Sequence, residues 1–318
     1  MIKQISFIVI FFLNLATTLG QEANDTHIAQ DSKEDSYIEH VFHSPVLINS
    51  QTPGVLHKKS MEIILENRFG RINPNASGYG FSSPPNFRIG LAYGFTDWSM
   101  LSIGFIRSHS IVDVGYKFAL LRQTTSDKMP VSVSFYGNVS VNMGHSEEFH
   151  QTADRISIFE QVIVSRKFGK NIAFFIAPGF MHFNEVDTSI CYIHDSFLIA
   201  AGGQIKILPH TSLILEYGQG HLTNKVTNLP KAEPGVSLGA EYTAQKYSFQ
   251  LFATTFHEIS EQDNYMYNSN DFLKGQMLIG FNLTGVLDFK VKKQTTRLKK
   301  GIQAGGELIL IFSEINSI

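Results

Sequence analysis

Residues whose types could do chemistry fall in two places in this sequence. The first is the stretch Gly144-His145-Ser146-Glu147-Glu148-Phe149-His150, which sets imidazole, hydroxyl and carboxylate side by side. Hydrolysis at such a site would need the serine activated by a base that a third group holds in place. Neighbours in a loop share no fixed geometry, so a solvated polar loop is the preferred reading. The same residues offer metal donors, but neither a paired-histidine helix motif nor a cysteine set accompanies them, and no metal or cofactor is expected. The second is a dispersed set: Glu62, Glu66, Arg68, Arg88, Asp113, Lys117, Lys206, Glu216 and Glu241. These could select solutes as a charged constriction. They could equally pair with one another and fill an interior, which is how a low-dielectric space tolerates charge. Both readings stay open until the elements carrying them are placed.

Composition narrows those elements. The chain has 318 residues, of which 43% are hydrophobic and only 17% charged, with 26 Phe and 11 Tyr. That balance excludes a disordered chain and a coiled coil. The single cysteine, Cys191, excludes a disulfide framework. No stretch reaches the ~18 uncharged apolar residues of a spanning helix. An all-β protein remains, either soluble or a barrel in a membrane. Between residues 21 and 289 the net charge is about −7, so the basic footprint of a nucleic-acid binder is absent.

Met1–Gly20 reads as a secretory signal: Lys3, an apolar run from Ile5 to Leu13, and small residues at the cut. Residues 21–59 are polar until Phe42-His43-Ser44-Pro45-Val46-Leu47-Ile48; they are expected in the periplasm or tucked into a lumen. The tail, 290–318, joins a basic run to Leu308-Ile309-Leu310-Ile311-Phe312, with no role assigned.

The region between alternates with period two. Val131, Val133, Phe135, Val139 and Val141 share one face, while Ser132, Ser134, Tyr136, Asn138, Ser140 and Asn142 share the other. Phe87, Ile89, Leu91, Tyr93 and Phe95 oppose Arg88, Gly90, Ala92 and Gly94 in the same way. Runs of about ten alternating residues, with an apolar outer and a polar inner face, mark a transmembrane barrel. Twelve strands are expected, within a range of ten to fourteen: 60–69, 87–95, 99–107, 110–121, 130–142, 155–166, 171–183, 196–207, 211–217, 235–243, 247–255 and 275–289. Long and short connectors mostly alternate, as between the two sides of an outer membrane, and the short ones place both termini in the periplasm. The third and fourth connectors break the pattern. Parity puts the nine ionisable residues on the lumen side and the five residues Val131 to Val141 on the lipid side. Glu160 falls on the apolar parity, which suggests a bulge near Phe159 or a register error. On this reading Val133→Arg should cost ~2–4 kcal/mol at the bilayer midplane, and Ser134→Arg less. Phe69, Tyr93, Phe95, Trp98, Tyr217, Tyr242, Tyr247 and Phe289 stand at strand ends, where interfacial rings belong.

Asn67-Arg68-Phe69-Gly70, the hairpin Asn86-Phe87-Arg88-Ile89-Gly90-Leu91-Ala92-Tyr93-Gly94-Phe95-Thr96-Asp97, Lys117 and Leu121-Arg122-Gln123 together resemble the opening of a Bacteroidota outer-membrane β-barrel family of unknown function. The similarity runs from Phe42 to Phe289, including Phe249-Gln250-Leu251 and Gly280-Phe281-Asn282-Leu283-Thr284. Asn67 stands where that family carries His, and Ala244-Gln245-Lys246 where it would carry Gly-Gly-His. The resemblance implies fold and location and brings no activity.

The expectation is therefore a closed antiparallel transmembrane barrel in the outer membrane after signal cleavage. A pore or transport-related barrel stands first, and a non-conducting receptor or scaffold second. In the second case the connector Phe256 to Lys274, with Tyr265 and Tyr267, would supply an external binding surface. A barrel enzyme and a soluble secreted β-sandwich come behind. Expected partners are outer-membrane lipid, the barrel-assembly machinery and a small polar solute, with no nucleic acid.

Overall fold

A computed structural model describes residues 36–38, 40–72, 85–144, 149–186, 193–220 and 232–289. Twelve antiparallel strands close into one barrel, each paired with its sequence neighbours and β1 with β12. They are β1 (Ser60–Arg71), β2 (Asn86–Thr96), β3 (Ser99–Ile106), β4 (Ile111–Leu121), β5 (Ser132–Asn142) and β6 (Ile156–Phe168), followed by β7 (Ile172–Phe183), β8 (Asp195–Leu208), β9 (Thr211–Gln219), β10 (Gly235–Ala244), β11 (Tyr247–Thr254) and β12 (Leu278–Asp288). No helix among the described residues is long and apolar enough to cross a membrane. The strand count and the antiparallel closure match the expectation. The signal sequence, the 290–318 tail, Cys191 and residues 145–148 of the His-Ser-Glu stretch lie outside the described residues.

The pleat explains which side chains face out. On β2, Ile89, Leu91, Tyr93 and Phe95 are exposed while Gly90, Ala92 and Gly94 alternate between them. Val133, Phe135, Val139 and Val141 are partly exposed on β5, and Ser132, Ser134, Tyr136, Asn138 and Ser140 are buried. Val131 lies just before β5 and is also partly exposed. A soluble protein could not leave so continuous an apolar band bare, whereas lipid covers it. Rings of Tyr93, Phe95, Trp98, Tyr242, Tyr247 and Phe289 are exposed at the barrel end that carries the short turns.

Two irregularities have local causes. The fourth connector, residues 122–131, is longer than the other turns at its end of the barrel because it holds the incoming chain: Tyr37 bridges Thr124, and Ile38 N donates to Gln123 O at 2.8 Å. Glu160 involves no bulge, since β5–β6 pairing is continuous from Ser132↔Ser165 to Val141↔Ile156. The acid faces outward, and across Gly137 the Tyr116 hydroxyl donates to it at 3.4 Å. Gly137 is required there, because a Cβ would run into the Tyr116 ring.

Candidate functional site

The lumen is filled from both ends. Phe42, Leu47, Ile48 and Leu56 are all buried within the barrel, so the residues before β1 form a hairpin inside it. The hairpin closes on itself through the Val46↔Gln51 bridge and the Leu47 N–H to Ser50 O bond of 2.9 Å. Pro45, with no N–H of its own, accepts from Thr52 N at 2.9 Å. From the opposite end the connector between β11 and β12 turns inward. It carries the short helix α1 (Glu261–Tyr267), capped by Ser260, whose side chain accepts from Asp263 N. Tyr265 and Met266 are buried, so the expectation that Tyr265 forms an external binding surface is corrected: its ring stacks on Phe159 at 5.9 Å. The two inserts meet where Gln51 Nε2 donates to Glu261 at 3.1 Å.

The inner wall is matched to these occupants group by group. Glu216 on β9 accepts the main-chain N–H groups of Asn49 and Ser50 at 2.9 and 3.2 Å. Glu241 on β10 accepts from Ser44 and Ser248 at 2.7 and 2.8 Å, and from Gln204 and Gln250. Arg68 on β1 donates to Ile48 O at 2.9 Å and to Asn282 at 3.0 Å, beneath the Phe252 ring at 4.4 Å. Lys117 on β4 donates to Pro45 O at 3.0 Å. Three of the remaining charges pair among themselves. Arg88 makes a two-bond fork to Asp113, at 2.8 and 2.7 Å, and a third bond to Glu66 at 2.8 Å. Gly104 leaves room for this triad, since a Cβ there would strike both Arg88 and Asp113. Glu62 lines a residual cavity of about 30 Å³ together with Pro45, Gln51, Arg88, Lys117 and Tyr136.

Lys206 is the exception among the nine. It is exposed near the short-turn end of β8, although its parity is that of buried Gln204. Strand parity gives the side of a residue but not its depth, so a rim lysine and a buried one read alike.

Sequence reasoning missed the apolar half of the lumen. Phe159, Ile163, Phe175, Met181, Leu198 and Ile214 point inward and are fully buried with Leu47 and Ile48 in one cluster. Their strands are apolar on both faces, which a strict alternation does not anticipate. A lumen packed with protein needs such a patch; a lumen full of water does not.

At the other mouth, a recess of about 390 Å³ is lined by Arg68, Arg71, Asn86, His257, Glu258 and Asn270 among others. Burial pushes the Glu258 carboxyl up, but hydrogen bonds from His257 and Ser108, together with the attraction of His257 and His109, outweigh it and hold the acid below its ordinary value. Asp263, buried next to Glu258, is pushed up to about 6.

A closed barrel with an exposed apolar band and interfacial rings defines a membrane-bound β-barrel protein. Residues 42–287 match the family described as "Membrane bound beta barrel domain (DUF5777)", and the chain belongs to that family. No curated protein matches the chain. Among solved structures it is similar to the NanC porin, with 12% identity, 73% of this chain and 100% of that one covered, and a TM-score of 0.45. An outer membrane channel from Pseudomonas putida F1 has 11% identity, 74% and 97% coverage, and a TM-score of 0.46. Outer membrane phospholipase A from Escherichia coli has 13% identity, 76% and 95% coverage, and a TM-score of 0.39. At these values neither conduction nor phospholipase activity transfers to the chain.

Proposed function

We propose that the chain is an outer-membrane barrel of the transport class, held shut in this conformation by its own N-terminal hairpin. The observation that carries this is the nature of the hairpin's attachment. Residues 42–56 fill the lumen without joining the sheet, and hydrogen bonds and apolar contacts hold them. Such a segment can leave while the barrel stays closed, whereas a strand could not. Signal-peptide cleavage and a periplasmic position for both ends of the barrel belong to the same reading, as β1 begins and β12 ends beside the short turns. A Bacteroidota origin is inferred from the R-x-G-x-x-Y-G-x-T-D hairpin alone. Lipid and the barrel-assembly machinery are the partners that every such barrel meets. No residue set in the lumen is assigned catalysis.

The test is conductance in a planar bilayer, with the intact chain compared against a variant lacking residues 36–56. The intact protein should be silent and the variant should conduct. A silent variant would favour the second reading, a non-conducting receptor or scaffold, for which the small residual cavity speaks. Free conduction by the intact chain would remove the plug.

A further inference from the structure

The wall holds the hairpin chiefly by its main chain. Between Pro45 and Pro53, barrel side chains engage seven backbone groups. Lys117 donates to Pro45 O, Gln250 to Val46 O, Asn282 to Leu47 O and Ile48 O, Arg68 to Ile48 O, and Ser134 to Pro53 O. Glu216 takes the N–H groups of Asn49 and Ser50. Side-chain recognition is narrower. Ser44 reaches Glu241, Asn49 reaches Ser237 and Thr254, and Leu47 and Ile48 enter the apolar cluster that includes Phe252, Phe256 and Tyr265.

From this we infer that the lumen is a peptide-binding channel, whose solute is an oligopeptide turn and whose resting occupant is the protein's own hairpin. The inference rests on the reading of that hairpin as a removable plug and names the solute class. Donors placed against four successive carbonyls, followed by a carboxylate against two successive N–H groups, complement a polypeptide backbone. A carbohydrate offers hydroxyls that both donate and accept on most of its carbons, and would not call for this separation of donors from acceptors. Buried polar groups also reject what cannot satisfy them, because each unmet group keeps its desolvation cost. The wall thus reads the backbone in a fixed order and asks of the side chains chiefly two adjacent apolar residues at the turn, with a polar residue after them and a serine ahead of them.

The experiment keeps the full chain. The exposed Lys58-Lys59 turn is replaced by a protease site and cut after folding, so that residues 41–56 are held by contacts alone. A fluorescent peptide of that sequence is then exchanged into the barrel and followed by anisotropy. Asn49→Ala in the cut chain loosens a hairpin that does not leave unaided, and leaves the wall unchanged. Unlabelled peptides of unrelated sequence that keep the turn and the apolar pair should displace the probe. The same peptide N-methylated at Asn49 and Ser50 should bind at least tenfold more weakly, and so should the unmodified peptide on Glu216→Ala. An oligosaccharide of equal mass should not compete. Equal binding of the methylated peptide, or competition by the sugar, overturns the inference; so does failure of every peptide except the native one. Conduction after cutting without peptide competition would leave the plug standing and remove the peptide. Competition in a barrel that stays silent would do the reverse.

Discussion

Removing the guanidinium of Arg88 would leave Glu66 and both oxygens of Asp113 facing one another inside the barrel. The three bonds of 2.7–2.8 Å that it makes compensate two carboxylates that have little access to water. Breaking one member of a buried ionic group costs about 3–5 kcal/mol, because the partners are left uncompensated. Arg88→Ala should therefore lower the unfolding free energy measured by urea titration by about 3–5 kcal/mol, while the silence of the intact barrel persists. A change in ion selectivity without loss of stability would instead make Arg88 a pore-lining charge. Asp263 offers a pH dependence with a definite sign. Burial, then repulsion from Glu258, pushes it up to about 6 from an ordinary 3.8, with His109 and His257 pulling the other way. An acid raised on folding stabilises fully below its unfolded value and loses that contribution as pH rises through the folded one. Asp263→Asn should accordingly protect residues 261–267 from hydrogen exchange better than wild type at pH 7, and no better below about pH 4.

At the level of elements, β5 separates what parity can say from what it cannot. Val139 lies nearer the middle of the strand than Val133. Val139→Arg should cost ~2–4 kcal/mol in lipid, and Val133→Arg, close to the strand end, nearer ~0–1 kcal/mol. Ser134→Arg is no longer the mild change expected from sequence. Ser134 is fully buried and donates to Pro53 O at 2.7 Å, so an arginine there must push the hairpin aside. Urea titration of the three variants checks the order. The strands themselves were legible because lipid imposes an apolar row on every outward face, and period two survives each turn. The hairpin was visible only as an apolar island, Phe42 to Ile48, in a polar segment. Nothing local says whether such an island inserts or lies outside. The inward connector left a comparable trace in Phe256, Ile259, Tyr265 and Met266, four apolar residues in a segment that water would otherwise surround. Which wall groups meet which backbone groups depends on contacts that span from 20 to 235 residues of sequence, which no periodicity encodes.

For the molecule as a whole, closure of the sheet is the feature that lipid requires, since an open edge would leave backbone groups unsatisfied in hydrocarbon. The folded barrel should survive cold SDS and migrate apart from the boiled chain on a gel, and extraction from membranes into plain buffer should fail. A protein that washed off in buffer would be a sandwich with a misread outer face.

The seam between β1 and β12 carries a consequence for assembly. The hairpin immediately precedes β1, and the inturned connector immediately precedes β12, so both fillers arrive on the two strands that meet last in sequence order. Ile48 O is held at once by Arg68 from one side of that seam and by Asn282 from the other, and these two side chains bond each other. The hairpin is thus placed to act as a mandrel, around which the nascent sheet curls until its first and last edges find each other. A chain that carries its own former need not thread a finished cylinder, and the wall closes around a filler that is already in place.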